Sequence, residues 1–302
     1  MEKGKLKEKI SAFYNKRYKF LFLASALLII LALIYIFVFH AKTGDFIYRD
    51  ISLAGGTSVT IYSSNLSVSQ LQRDLPTYLG DIDVNSIKDI VTQQQKAVII
   101  QTHENADQAK TTLERYLGYN LTEQNSSFEF TNPSIGTSFY QQLLIAILIA
   151  FVFMSIVVFI LFRTFIPSLA VVLSAFADIL MTLAVVDLSG MKLSSAGIIA
   201  FLMLIGYSVD TDILLTNRVL KSTGSGSVNS KIFGAFKTGI TMTIAALVAV
   251  LSALLILSSF SNTMSQIFTI LAIGLCFDVF NTWVTNAVII KWYASKKYEN
   301  KS

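Results

Sequence analysis

Four aspartates lie well inside long apolar runs: Asp178, Asp210, Asp212 and Asp278. No Lys or Arg stands at the same level of those runs to pair with them. An aspartate at the centre of a bilayer costs about 2.5–3.5 kcal/mol on insertion scales unless it faces water or a polar interior. Low dielectric favours the neutral form of a carboxyl, so such groups are candidates for taking up and releasing a proton. The rival reading is structural, with the carboxyl joining helices through hydrogen bonds to Ser, Thr or backbone. For Asp178 and Asp278 the two readings stand level. Asp278, Asn281, Thr282 and Thr285 form a polar stripe at helical spacing, as a helix–helix seam does. Asp212 lies about 200° around the helix from Asp210 and closer to a basic loop, where water, Lys or Arg is within its expected reach. Gly206 and Tyr207 stand one turn before Asp210. A glycine there admits another helix at close range, which makes Asp210 the leading candidate for a proton-responsive group.

Little else in the chain suggests chemistry. The two histidines, His40 and His103, are far apart and have no thiols around them, so no metal site is expected. Cys276 is the only cysteine and cannot form an intramolecular disulfide. Gly224-Ser225-Gly226-Ser227 lacks the Lys-Ser/Thr that completes a phosphate loop. With no Ser/His/Asp set, no nucleotide site and no cofactor signature, the sequence does not read as an enzyme.

The elements that must position these carboxyls are membrane spans. Of the 302 residues, 53% are hydrophobic and only 14% charged, whereas soluble domains carry about 25% charged residues. A span needs about 20 mostly apolar residues. Six segments qualify, at about 20–39, 143–162, 169–188, 196–216, 238–257 and 267–290. The first is too long for a signal peptide's apolar region and is followed by no small-residue cleavage site. Asp178 falls near the middle of the third span, Asp210 and Asp212 in the inner half of the fourth, and Asp278 near the middle of the sixth.

The net charge is +5, and its distribution orients the chain. Residues 1–20 hold seven Lys/Arg, and Arg218, Lys221, Lys231, Lys237, Lys291 and Lys296 flank the later spans on the same side. The positive-inside rule then places both termini in the cytoplasm of a multi-pass cell-membrane protein. The basic start is read as a topology signal that attracts anionic lipid, not as a nucleic-acid site. Within it Leu6, Ile10, Phe13 and Tyr14 suit a short amphipathic helix over 1–19 lying on the inner surface.

Residues 40–138 form the one large segment on the other side. Alternation at Thr57–Tyr62, a helix from the Ser67 cap past Pro76 to Gly80, strand-like runs at Val84–Val91 and Lys96–Thr102, a helix over Glu104–Leu117 with Gly118 behind it, and alternation at Ser127–Thr131 give the order β-α-β-β-α-β. That is the ferredoxin-like pattern. The expected architecture is therefore a six-helix membrane protein with one α+β domain outside the membrane, between helices one and two. A five-helix bundle (139–291) and a short tail (292–302) follow.

The string Leu204-Ile205-Gly206-Tyr207-Ser208-Val209-Asp210-Thr211-Asp212 closely resembles the fourth-span motif of SecF proteins, most of all their archaeal branch. Three further stretches are similar to the same family: Gly55-Gly56-Thr57 at the start of the outer domain, Pro167-Ser168-Leu169 through Asp178, and Gly274-Leu275-Cys276-Phe277-Asp278 with Asn281-Thr282-Trp283. The resemblance implies an auxiliary subunit of the Sec preprotein translocase. It would pair with SecD beside the SecY-type channel and promote export of preproteins, with proton-gradient coupling as in the resistance-nodulation-division superfamily. Bacterial members commonly read Gly-Tyr-Ser-x-Asn-Asp, so Asp210 stands where they carry Asn and Thr211 where they carry Asp. Two rival readings are an exporter of lipid or small molecules from the same superfamily and a non-transporting assembly factor.

Overall fold

The computed structural model describes the backbone of residues 2–89, 92–221, 227–258 and 261–299, with side-chain surroundings from 17 to 296 within those ranges. Leu6, Ile10, Phe13 and Tyr14 of the expected amphipathic face, and the Gly224–Gly226 loop, lie outside the described side chains. The backbone of the basic start runs without a break into the first span as α1 (Glu2–Thr43).

A short stem leads to α2 (Ile51–Ala54), then β1 (Gly56–Ile61), α3 (Val68–Asp74), α4 (Pro76–Leu79), β2 (Ile82–Lys88), β3 (Gln95–Thr102), α5 (Ala106–Leu117) and β4 (Ser126–Thr131). The side chains of Ser67 and Asn105 accept hydrogen bonds from Gln70 N and Gln108 N, capping α3 and α5. Gly118 ends α5 in the left-handed conformation. The strands pair antiparallel in the order β2-β3-β1-β4, so the domain has the ferredoxin-like architecture expected from the sequence. Val59, Ile61, Val84, Val98 and Ile100 alternate toward the helices and bury Leu71, Leu75, Leu113 and Leu121.

The bundle comprises α6 (Pro133–Phe162), α7 (Phe165–Leu188), α8 (Ser195–Leu220), α9 (Val228–Leu257) and α10 (Asn262–Asn281). A π-helical turn at Thr282–Asn286 continues α10 into α11 (Ala287–Glu299). Among the described residues six helices are long and apolar enough to cross a membrane, the sixth running through the π turn. Asn132 caps α6 with Pro133 at its first position, which starts that helix ten residues before its apolar run. In the most apolar windows of α7 and α8, 61% and 56% of residues are buried, against 11% for both α6 and α9. Helices α7, α8 and α10 therefore form the interior, and α1, α6 and α9 lie around them.

The outer domain is tied to the bundle through the α7–α8 turn. Leu193 N donates to Tyr48 O at 2.6 Å and Asp50 N to Leu193 O at 2.9 Å, a one-residue bridge between stem and turn. Gln266 of α10 holds that turn, accepting from Ser194 N at 3.0 Å and donating to Lys192 O at 2.6 Å. Gly55 and Gly56 have φ of +87° and +141°, and a Cβ on either would stand 2.4 Å from Pro133 Cα or 2.3 Å from Thr102 O. The Gly-Gly pair is thus the crossing point where β1 leaves the start of α6.

Candidate functional site

The middle of the bundle holds a polar cluster built from α7, α8, α9, α10 and the π turn. Asp178, Asp212 and Asp278 are each 0% exposed. Asp178, on α7, accepts from Asn281 Nδ2 at 2.7 Å and from the hydroxyl of Ser208 on α8. Asp278, on α10, accepts from Thr211 of α8 at 3.2 Å, Thr243 of α9 at 3.5 Å and Thr282 at 3.2 Å. Asp212, on α8, accepts from Asn286 Nδ2 at 2.7 Å, while its Oδ2 has no hydrogen-bond partner. The three carboxyls lie close enough to interact electrostatically. Among the described residues none of them forms a salt bridge.

The π turn explains how one helix serves two carboxyls. Asn281 and Asn286 are five residues apart, which in an α-helix sets side chains about 140° apart. The wider i→i+5 winding brings both toward the cluster, one to Asp178 and the other to Asp212. Thr285 donates to Asn281 Oδ1 at 3.2 Å and also meets Ser25 of α1, so the polar seam reaches the first span. Every member of the Asp278-Asn281-Thr282-Thr285 stripe is fully buried.

Asp210 is not part of the cluster. It is exposed on α8 in one row with Ile199, Met203, Gly206 and Tyr207. A Cβ on Gly206 would meet nothing within 4 Å, so among the described residues no helix uses the close approach that this glycine allows. The expectation that Asp212 reaches water or a cation is therefore corrected, and Asp210, the leading candidate in the sequence, faces out of this chain's bundle. The 200° between them turns Asp212 into the protein and Asp210 out of it. Ser208, one turn before Asp212, points inward with it. Glycines of the bundle that do admit close neighbours include Gly239, whose Cβ would stand 2.6 Å from the Trp283 ring, Gly274, 2.4 Å from Leu204, and Gly197, 2.6 Å from Gln266 Oε1.

The sequence reading also missed Asp187, near the outer end of α7, which is 2% exposed and faces the Tyr48 backbone of the stem. It lies one residue from the end of the 169–188 apolar run, where its side chain's burial has no signature in the sequence.

Such an arrangement can hold or pass a proton. Three carboxyls on three helices are each met by their own neutral donors, Ser, Thr and Asn side chains that can rotate to serve either protonation state. A change of charge on one must be felt by the others and by the packing of α7, α8 and α10. No group of three or more His, Cys, Asp or Glu with metal-holding geometry occurs among the described residues.

Residues 112–296 match the family described as Protein export membrane protein SecD/SecF, C-terminal. A protein-export membrane protein SecF from Methanolacinia petrolearia is 38% identical over 277 residues, 89% of this chain and 91% of that protein. The SecF protein of Pyrococcus furiosus is 31% identical over 293 residues, covering 97% and 96%. Among solved structures, the translocon-associated membrane protein SecDF of Thermus superposes with a TM-score of 0.71 at 18% identity. The match covers 92% of this chain but only 38% of that larger one.

Proposed function

Because this chain belongs to the SecF family of protein-export membrane proteins, we propose that it promotes export as the SecF half of a SecD–SecF pair, driven by protonation of the Asp178–Asp212–Asp278 cluster. It acts as an auxiliary subunit of the Sec translocase. The observation that carries the proton coupling is the cluster itself: three buried carboxyls on three helices, whose only hydrogen-bond partners are hydroxyls and amides and one of whose oxygens, Asp212 Oδ2, has none. A protonation change there alters charge and hydrogen bonding at the contact of α7, α8 and α10 and biases their packing. Gln266 and Leu193 connect those helices to the outer-domain stem, which gives the change a route to the domain. The preprotein is the cargo and a SecY-type channel the neighbour.

The basic ends of the spans support cytoplasmic termini and an extracytoplasmic domain over 40–138. The bare α8 row with Asp210 and Gly206 supports SecD as the partner on that face, since an aspartate on an otherwise apolar surface calls for a polar group from another subunit. The chain's match to 38% of the SecDF structure fits one half of such a pair.

The test is export of a secreted reporter into inverted membrane vesicles holding the channel and SecD, with or without this chain. Faster export with the chain supports the reading. Export unaffected by its removal, while it still copurifies with SecD, supports an assembly factor instead.

A further inference from the structure

At the end of the bundle away from the outer domain, a groove of about 370 Å³ lies between α8 and α9, lined by Leu214, Asn217, Arg218, Lys221 and Thr238. Its two cations are held by uncharged groups. Arg218 Nη1 donates to Gly234 O at 2.6 Å and to Thr238 Oγ1 at 2.9 Å. Lys221 Nζ donates to Leu161 O at 3.0 Å and stands 5.6 Å from the Phe162 ring centroid. Leu161 O is among the last carbonyls of α6, which have no intrahelical donor, so Lys221 ties the end of α8 to the end of α6. Neither cation meets a carboxylate among the described residues. Residues 217–237 carry Arg218, Lys221, Lys231 and Lys237 and no Asp or Glu.

Two fixed cations without a counter-charge thus sit beside apolar Leu214 and Phe162, where the spans leave the hydrocarbon. A guanidinium fork matches two oxygens of one phosphate, and an ammonium adds a point charge. Basic pockets between spans on this side of a membrane suit anionic headgroups. Free phosphate would satisfy the charges but leave the apolar wall unused. We propose that this groove binds the headgroup phosphate of an anionic phospholipid through Arg218 and Lys221, with an acyl chain against Leu214. Bound there, the lipid braces α6, α8 and α9 at the ends away from the outer domain.

The test uses the full-length chain in neutral detergent, with phosphatidylglycerol, phosphatidylcholine or inorganic phosphate added. Retained lipid is read by native mass spectrometry and stability by thermal unfolding. Phosphatidylglycerol is expected to bind about tenfold more tightly than phosphatidylcholine, equivalent to one good charge-assisted contact, and to raise the melting temperature. Arg218→Gln with Lys221→Gln should remove that preference and leave phosphatidylcholine binding unchanged, whereas Lys296→Gln, elsewhere on the same side, should keep it. Should the double variant unfold, Arg218→Lys retains the charge but loses the fork, and an intermediate preference supports the proposal. Equal binding of both lipids, a preference that survives the double variant, or equal stabilisation by inorganic phosphate at matched concentration would overturn it.

Discussion

At the outer end of the molecule Asp45 meets Arg49 at 2.7 Å, Asp89 meets Lys96 at 2.5 Å and Asp81 meets Lys192 at 2.6 Å. In the bundle Asp178, Asp212 and Asp278 meet only Ser, Thr and Asn. The same residue type is satisfied by charge in one region and by neutral donors in the other. Exposed ion pairs contribute little because water already solvates both partners. A buried carboxyl without a cation must instead rely on its hydrogen bonds and on the freedom to carry a proton. The outer aspartates therefore fasten a surface, whereas the inner ones join helices without a counter-charge. Backbone constraint follows a similar division. Gly55 and Gly56 are fixed by their own conformation and by neighbouring backbone, while the bundle's Gly239 and Gly274 are fixed by the side chains of Trp283 and Leu204.

The sharpest contrast lies in those glycines. Gly55→Ala places a Cβ against the Pro133 backbone at a φ of +87°; strain plus clash should destabilise the junction by about 3 kcal/mol. Gly274→Ala meets the buried Leu204 side chain but no backbone, at an ordinary helical φ, and should cost about 1–2 kcal/mol. Thermal unfolding in detergent, with proteolysis of the outer domain, ranks the two, and equal losses would remove the distinction. Asp178→Leu leaves the Asn281 amide buried without its acceptor and should cost about 2 kcal/mol, while Asp178→Asn, which keeps one acceptor in place, should unfold close to the wild type. Lys192→Gln breaks the half-exposed Asp81 pair and should change stability by under about 1 kcal/mol, less at high salt. A large, salt-insensitive loss there would mean that the outer pair is structural in the way the inner cluster is.

The smallest effect concerns Asp50 at the junction. Burial pushes its carboxyl above the ordinary value of 3.8, against the hydrogen bond from Ile51 N. The folded form then holds a proton that the unfolded form has released, so this contribution is full at the acid end and is lost as pH rises from 3.8 through the raised value. Asp50→Asn should flatten that slope in a pH series of unfolding temperatures.

Much of the architecture was legible because each signal had a single cause. The spans follow from apolar length, and the outer domain from alternation interrupted by Ser67, Gly80 and Gly118. The cluster's membership was harder to read. A helix in lipid has no amphipathic pattern to tell its inner from its outer face, since lipid and protein interior are equally apolar. Gly206 near Asp210 therefore pointed to a contact that this chain does not make with itself, and Asp212 was assigned to the water side. The pairing of Asn281 with Asp178 and of Asn286 with Asp212 depends on a π turn, which nothing in Thr282-Trp283-Val284-Thr285-Asn286 announces. Thr211, the residue after Asp210, stands in the cluster against Asp278, although its sequence position beside an outward-facing aspartate did not mark it.

The most direct test compares wild type, Asp278→Asn and Asp210→Asn in inverted vesicles with SecD and the channel, measuring reporter export with and without an imposed pH gradient. The buried cluster as proton-responsive element predicts that Asp278→Asn removes the gradient's acceleration while export without a gradient persists, and that Asp210→Asn alters pairing with SecD. An Asp278→Asn chain that responds to the gradient as the wild type does would contradict it, leaving the cluster as a structural seam.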